Sequence, residues 1–418
     1  MGNDILFIQQ IYRSLNFKMC MMKYTASLLI TLSFLFVSCV EEYKVPETTT
    51  RNYKDELVIQ GRILSGEASV FYVARTTPFG SKTEPIFVTD AKVTIIGQNG
   101  FESPVAEYYP EKQCYQVDTK LLPDNTQYAL KVVSGNEIYQ SEYQSLQTSP
   151  EITNVTYHEE ENNISINVTT LSDDNFSRYY MWSYEEDWEF HADNDIKAMR
   201  GVILYDKEWY PLLDKFNNPY YYCWGHNSSS QTIIYTTSPL SENTVKDVKL
   251  LDIPSNDIRI SYIYSILVKQ WSLSMDAYTY YKTMKLYTEE SGSLFIPMPG
   301  ELKNNVSCIT NPDLKCHGYV LASTVSTKRL FIYENDLVHF RSDYQNCALT
   351  YPPLKEIFGY DWRRAWLNSM EDYGFVIYTN NGDLEKDSSI LYSPECVDCR
   401  KTKGATKKRP DFWPNNHE

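Results

Sequence analysis

Basic residues are in short supply. Thirty-nine Lys and Arg stand against 54 Asp and Glu, a net charge of -15. Such a chain does not gather on nucleic acid, which needs clustered cations for its phosphates, and it fits a solvated extracellular protein. Histidine is scarce as well: His158, His191, His226, His317, His339 and His417 are all there are. None lies in H-E-x-x-H, which removes the helix-borne zinc hydrolases. There is no G-x-S-x-G nucleophile elbow, no phosphate-binding loop and no D-x-D-x-D-G calcium loop. No internal repeat or long low-complexity segment occurs. No apolar run reaches the ~20 residues that a membrane-spanning helix requires. No residue constellation names a reaction, and the chain reads as non-enzymatic, with no cofactor and no metal ligand set.

What is present begins at Lys23–Cys39, KYTASLLITLSFLFVSC. A single positive charge, an apolar run from Ala26 to Val37 and a small residue, Ser38, describe a secretory signal. Cys39 changes the reading from secreted to anchored. Leu35-Phe36-Val37-Ser38-Cys39 resembles a bacterial lipobox, with Phe36 where Leu is usual, and makes Cys39 the lipidation site. The alternative is a plain signal peptide that contains a Cys. Acyl chains hold a protein to a bilayer at about 0.8 kcal/mol per buried methylene. Val40-Glu41-Glu42 resembles the surface-export signal of Bacteroidetes lipoproteins, or else merely begins a solvated tether. The expected location is the outer membrane, lipid-anchored, on the cell surface or the periplasmic face. Residues 1–22 read as an over-extended start, and 1–39 are set aside from the fold.

Residues 40–54, with one Pro and a Thr triplet, read as a tether. About 380 residues follow Cys39, room for two or three domains. Residues 55–149 predict a β-sandwich domain: Leu57, Ile59 and Ile63, then Val70, Tyr72 and Ala74, alternate with polar residues. Ala91–Ile96 runs into the turn Gly97–Gly100, and Cys114–Val117 is a further strand. Leu121-Leu122-Pro123, followed by Tyr128-Ala129-Leu130-Lys131-Val132, resembles the tyrosine corner of Greek-key, Ig-like sandwiches. Tyr128 is otherwise an ordinary strand aromatic. Residues 150–418 predict a second, larger β-rich domain with one or two inserted helices. Ile152–Tyr157 and Ile164–Val168 flank the polar turn Glu159–Asn163 as a hairpin. Ile258–Gln270 predicts a central strand with Ile260, Tyr262, Tyr264, Ile266 and Val268 on one face. Ser274 caps a helix carrying Ala277, Tyr280, Tyr281, Met284 and Tyr287 as a core stripe. Pro352–Tyr373 reads as partly helical.

Glu185, Glu186, Asp187 and Glu189 form the one acidic cluster worth testing. Calcium takes several oxygen ligands, but solvated acids beside buried aromatics are the plainer reading. Seven cysteines remain after Cys20 and Cys39, and in an oxidising envelope they read first as disulfides. Cys114, alone in the first domain, is the expected free thiol. Cys308 and Cys316 are expected to close a small loop, and Cys347, Cys396 and Cys399 to share a bridge that pins the tail. Connectivity does not follow from sequence. A zinc site from Cys308, Cys316, His317, Cys396 and Cys399 is the alternative.

Several stretches taken in order are similar to the Bacteroidetes lipoprotein family called DUF4249. They are the lipobox Cys39, Glu56–Gly61, Ala91–Ile95, Tyr222-Cys223-Trp224, Val268–Ser274, Gly292–Phe295, Gly318-Tyr319, and Cys396–Arg400 ending in Arg409–Trp413. Lys403-Gly404-Ala405 departs from the Gly-Gly pair expected there. The resemblance covers nearly all of the mature chain and brings no catalytic residues, because the family's function is unknown. It implies an accessory or binding subunit that accompanies a TonB-dependent receptor, taking an unidentified ligand. A structural or adhesive Ig-like surface module is the alternative, and a surface hydrolase using a carboxylate such as Glu186 is a further one.

Overall fold

Alternation of apolar and polar side chains governs the chain from Leu57 onward, and it folds accordingly into strands. The computed structural model describes residues 55–77, 85–192, 220–229, 232–289, 302–338 and 398–414, with the backbone of short strands beyond these. The first part gives β1 (Leu57–Ser65), β2 (Glu67–Arg75), β3 (Ile86–Phe87), β4 (Lys92–Gly97), β5 (Glu107–Tyr109), β6 (Cys114–Thr119), β7 (Gln127–Ser134), β8 (Glu137–Ser141) and β9 (Gln144–Ser145). After Pro150 come β10 (Asn154–Glu159), β11 (Asn163–Leu171), β12 (Tyr179–His191), β13 (Ala198–Met199), β14 (Tyr210–Pro211), β15 (Tyr222–Ser228), β16 (Ile233–Thr236), β17 (Thr244–Pro254) and β18 (Ile263–Ser272). Helix α1 (Met275–Glu289) follows, then β19 (Val306–Cys308), β20 (Cys316–His317), β21 (Val320–Tyr333), β22 (Ala348–Tyr351), β23 (Val376–Tyr378) and β24 (Ser389–Tyr392). The chain is mainly β, with one α-helix among the described residues. That helix is not long and apolar enough to cross a membrane.

One long sheet organises these strands. Its order is β15-β12-β18-β21-β1-β2-β6-β5. One half of it packs on the sheet β19-β8-β7-β4 around Ile59, Phe71, Val93, Ile95, Leu130 and Val320. The other half packs on β10-β11-β17 around Ile164, Ile166, Trp182, Tyr264, Ile266 and Val268. Each fully buried aliphatic side chain contributes about 1.5–3 kcal/mol. The tyrosine corner is formed: Tyr128 is fully buried and its hydroxyl donates to Pro123 O (2.9 Å). The hairpin at Glu159–Asn163 pairs Glu159 with Ile164, in the register its alternation demands.

The two cores separate near residue 150, but the hydrogen bonding does not. Strand β21 pairs in parallel with β1 through Val320–Thr324 and antiparallel with β18 through Val325–Tyr333. The first sandwich also takes β19 and β20 from the far end of the chain. Gly318, which leads into β21, has φ +116°, and a Cβ there would sit 2.0 Å from Ile59 O. Only glycine lets this turn pass so close over β1.

The expected strand Ile258–Gln270 starts later, at Ile263. Asp257 accepts from Arg259 N–H (2.9 Å) and turns Ile258–Ile260 into a 3-10 turn. Tyr262 consequently leaves the face of Tyr264 and packs with Tyr222 and Trp413. Ser274 caps α1 through its Oγ, which accepts from Ala277 N–H (3.1 Å). Ala277, Tyr280, Tyr281 and Met284 then pack over Met181, Trp271 and Leu321 on the outer side of the long sheet. The Pro352–Tyr373 segment and the Tyr287 side chain lie outside the described residues.

Candidate functional site

The acidic cluster lies on β12, where alternation splits it between the two faces of the sheet. Glu186 is 1% exposed and packs inward. It accepts from Arg259 (2.6 Å), from the Tyr264 hydroxyl (2.8 Å) and from Asn227 (2.9 Å). Burial works against the charge of Arg259, but Asp257 and Glu186 overcome it and raise the guanidinium pKa. Burial, with Glu186 second, pushes the Tyr264 hydroxyl well above its ordinary value. On the other face, Asp187 is bonded to His226 (2.8 Å) and lies 3.4 Å from Arg329. Glu189 accepts from the Trp413 indole (2.6 Å), and Glu185 pairs with Lys269 (2.8 Å). These are not solvated acids: three of the four are buried and every one is matched. Among the described residues no group of three or more His, Cys, Asp or Glu is placed to hold a metal ion.

Asp187, His226 and Ser228 fall in a row. His226 Nδ1 is 2.8 Å from Asp187 Oδ1, and its Nε2 is 3.5 Å from Ser228 Oγ. The order of groups is that of a Ser-His-Asp relay. The Ser–His distance is beyond a good O–H···N bond, the His226 side chain is 56% exposed, and Asp187 is shared with Arg329. The row organises the edge strand β15 rather than an activated nucleophile.

The cysteine pairing differs from expectation. Cys223 on β15 is bonded to Cys399, 176 residues away, and this bridge pins the tail. Thr406 bridges Trp224, Lys407 donates to Tyr222 O, and Phe412 lies under the Arg329 guanidinium at 3.5 Å. The tail turn forms with Gly404 at φ +80° and Ala405 N–H bonded to Thr402 O (3.1 Å). Cys308 and Cys316 do not close a loop. They are free buried thiols, because β19 pairs with β8 while β20 pairs with β1 on the facing sheet. Cys114 is also free and buried. With Cys399 in a disulfide, the zinc set is not assembled. Cys39, Cys347, Cys396, His339 and His417 lie outside the described residues.

Sequence reasoning missed a cleft of about 550 Å³ beside α1, on the outer side of the long sheet. Its size is that of a small-molecule site. Strands β1 and β2 bring Gln60, Arg62, Glu67 and Tyr72; β12 and β18 bring Ser183, Glu185, Lys269 and Trp271; α1 adds Tyr281. Lys269 binds both Glu67 and Glu185. Burial opposes its charge, but the hydrogen bonds it donates to Glu185 and Glu67 raise its pKa. The Arg62 guanidinium lies over the Trp271 ring, 4.7 Å from its centre. Gln60 donates to the Tyr280 hydroxyl (2.7 Å). Burial pushes the Tyr281 hydroxyl up to about 12, with Arg62 pulling the other way. Gln60 and Arg62 stand on β1 opposite Leu57, Ile59 and Ile63, so in the sequence they read as a solvent face. Nothing local says that α1 and β18 wall that face in.

The family model described as "Domain of unknown function (DUF4249)" matches residues 40–329. No curated protein matches. Among solved structures, a two fibronectin type III domain segment from chicken tenascin is similar at 9% identity, covering 53% of this chain and 93% of that one, with a TM-score of 0.16. A mutant α-2-macroglobulin from Salmonella is similar at 9% identity over 57% of this chain and 14% of that one, with a TM-score of 0.17. The family match spans most of the chain and takes in the cleft strands β1, β2, β12 and β18, and the chain belongs to the DUF4249 family.

Proposed function

We propose that this chain is a lipid-anchored outer-membrane protein that holds a ligand in the cleft and serves a TonB-dependent receptor as a non-enzymatic accessory subunit. The observation that carries the reading is the cleft: a cavity of small-molecule size, lined by aromatic, polar and charged side chains, on the long sheet. The lipobox-like segment ending at Cys39 and the acidic Glu41-Glu42 support the location. The hydrolase reading loses its candidate acid, since Glu186 is held by Arg259, Tyr264 and Asn227. A structural or adhesive module is the second reading, favoured by the two sandwiches joined through one sheet.

Purification of the tagged, lipidated chain from detergent-solubilised outer membranes separates the two. A receptor barrel in stoichiometric amount is the expected result. Recovery of the chain alone, together with binding to a surface polymer, would replace uptake by adhesion.

A further inference from the structure

We infer that the cleft takes an acidic saccharide whose carboxylate docks on Arg62; this deepens the proposed function and rests on the cleft being the ligand seat. Three cations and two anions line the cavity, Arg62, Lys112 and Lys269 against Glu67 and Glu185, in a chain of net charge -15. Lys269 is spent on both carboxylates. Arg62 is half-buried and, among the described residues, has no carboxylate partner. The guanidinium lies over the Trp271 ring, 4.7 Å from its centre, and a guanidinium meets a carboxylate with two parallel hydrogen bonds. Trp271 supplies an independent sign. It is 2% exposed, lines the cleft, and its indole N–H has no hydrogen-bond partner among the described residues.

The rest of the lining selects the body of the ligand. An extended peptide reads a sheet through an exposed edge, and the strands that form most of this cleft are interior ones. Strand β1 lies between β21 and β2, β2 between β1 and β6, and β18 between β12 and β21. The amides of Gln60 and Gln116 and the hydroxyls of Ser183 and Ser229 suit ring hydroxyls, and Tyr72 offers an apolar ring face. Lys112, exposed at the edge of the cavity, adds attraction for a negative charge.

The test is calorimetric titration of the full mature chain with matched pairs: trigalacturonate against its methyl ester, glucuronate-bearing xylotriose against xylotriose, and sialyllactose against lactose. At least one acidic member should bind roughly ten- to a hundredfold tighter than its neutral partner, the value of a charge-assisted hydrogen bond. Arg62→Gln should erase that preference, and Arg62→Lys, which keeps the charge but loses the fork, should retain part of it. The wild-type acid-to-neutral ratio needs no variant and holds even if a substitution impairs folding. Equal binding within every pair, no binding of any acidic saccharide, or an acid preference that survives Arg62→Gln in folded protein would overturn the inference. Copurification of a receptor with a wild type that shows no acid preference would overturn this inference alone and leave the uptake reading standing.

Discussion

The first sandwich closes on aliphatic side chains such as Ile59, Val93 and Leu130, whereas the second buries Glu186, Gln270 and Asn243 among its aromatics. In the first, buried polar bonds are single side chains on backbone or on one another, such as the Tyr128 hydroxyl on Pro123 O (2.9 Å) and Ser69 against Thr119 (2.7 Å). In the second, Gln270 Oε1 accepts from Trp182 (2.9 Å) and Thr170 (2.7 Å), while its amide donates to Pro150 O (2.8 Å). Tyr180 donates to Asn243 Oδ1 (2.8 Å), and Asn243 in turn donates to Asp173 O (2.9 Å). Satisfied networks of this kind specify one arrangement, and they are costly to break because every member is buried. The half of the molecule that is specified by polar pairs also supplies Lys269, Glu185 and Trp271 to the cleft. The aliphatic half supplies Arg62, and the cleft exists because the shared sheet brings the two together.

The contrast is broken hardest at Glu186. Glu186→Ala leaves the Tyr264 hydroxyl without its acceptor and Arg259 with Asp257 alone, and removing one partner of a buried pair costs up to about 3–5 kcal/mol. Urea unfolding should register that loss, and a change below about 1 kcal/mol would mean that the network is not dry. A milder comparison is Tyr128→Phe in the first sandwich. It deletes one hydrogen bond to a backbone carbonyl and should cost about 1 kcal/mol, with the strands around it intact by circular dichroism. The smallest effect sharpens the comparison through pH. Burial raises the hydroxyl pKa of Tyr115, Tyr128 and Tyr139 in the first sandwich and of Tyr180 and Tyr184 in the second, and it raises Tyr264 far more. Above about pH 10 the unfolded chain ionises its tyrosines while the folded one keeps these protons, so the unfolded state binds fewer protons and stability falls. Lys269, raised in the fold, acts in the same direction: its contribution is complete below its unfolded pKa and is lost as pH rises through the folded one. Hydrogen exchange from pH 8 to 11 should show the second sandwich loosening before the first. Simultaneous loosening would remove the distinction.

What could be read in the sequence was local. The alternation of β1, the corner at Tyr128, the hairpin at Glu159–Asn163 and the Ser274 cap each lie within a few residues of their own partners, and each formed as expected. Distance in sequence hid the rest. Strand β21 reads as two strands because Ser326-Thr327-Lys328 is polar, yet it is one strand that passes from the first sandwich to the second between Thr324 and Val325. The acids of β12 look solvated because Arg259, Arg329 and Trp413, which bury them, are far away in the chain. Cys223 and Cys399 carry no spacing signal at all. Of the cleft, the sequence marks Tyr72 as a strand residue, Glu185 as one of the acids and Tyr281 as part of a core stripe, with nothing to bring them together. Arg62 was invisible because a charged residue alternating with Ile59 and Ile63 is the ordinary mark of a solvent face.

The account's central claim is that the cleft takes the ligand and the acidic row on β12 holds the fold. Calorimetric titration of the same acidic saccharides into Arg62→Gln and Asp187→Asn tests it most directly. Arg62→Gln should abolish the acid-dependent heat while melting like the wild type, and Asp187→Asn should bind as the wild type does while melting lower. Binding lost in Asp187→Asn and kept in Arg62→Gln would contradict the assignment of the two sites.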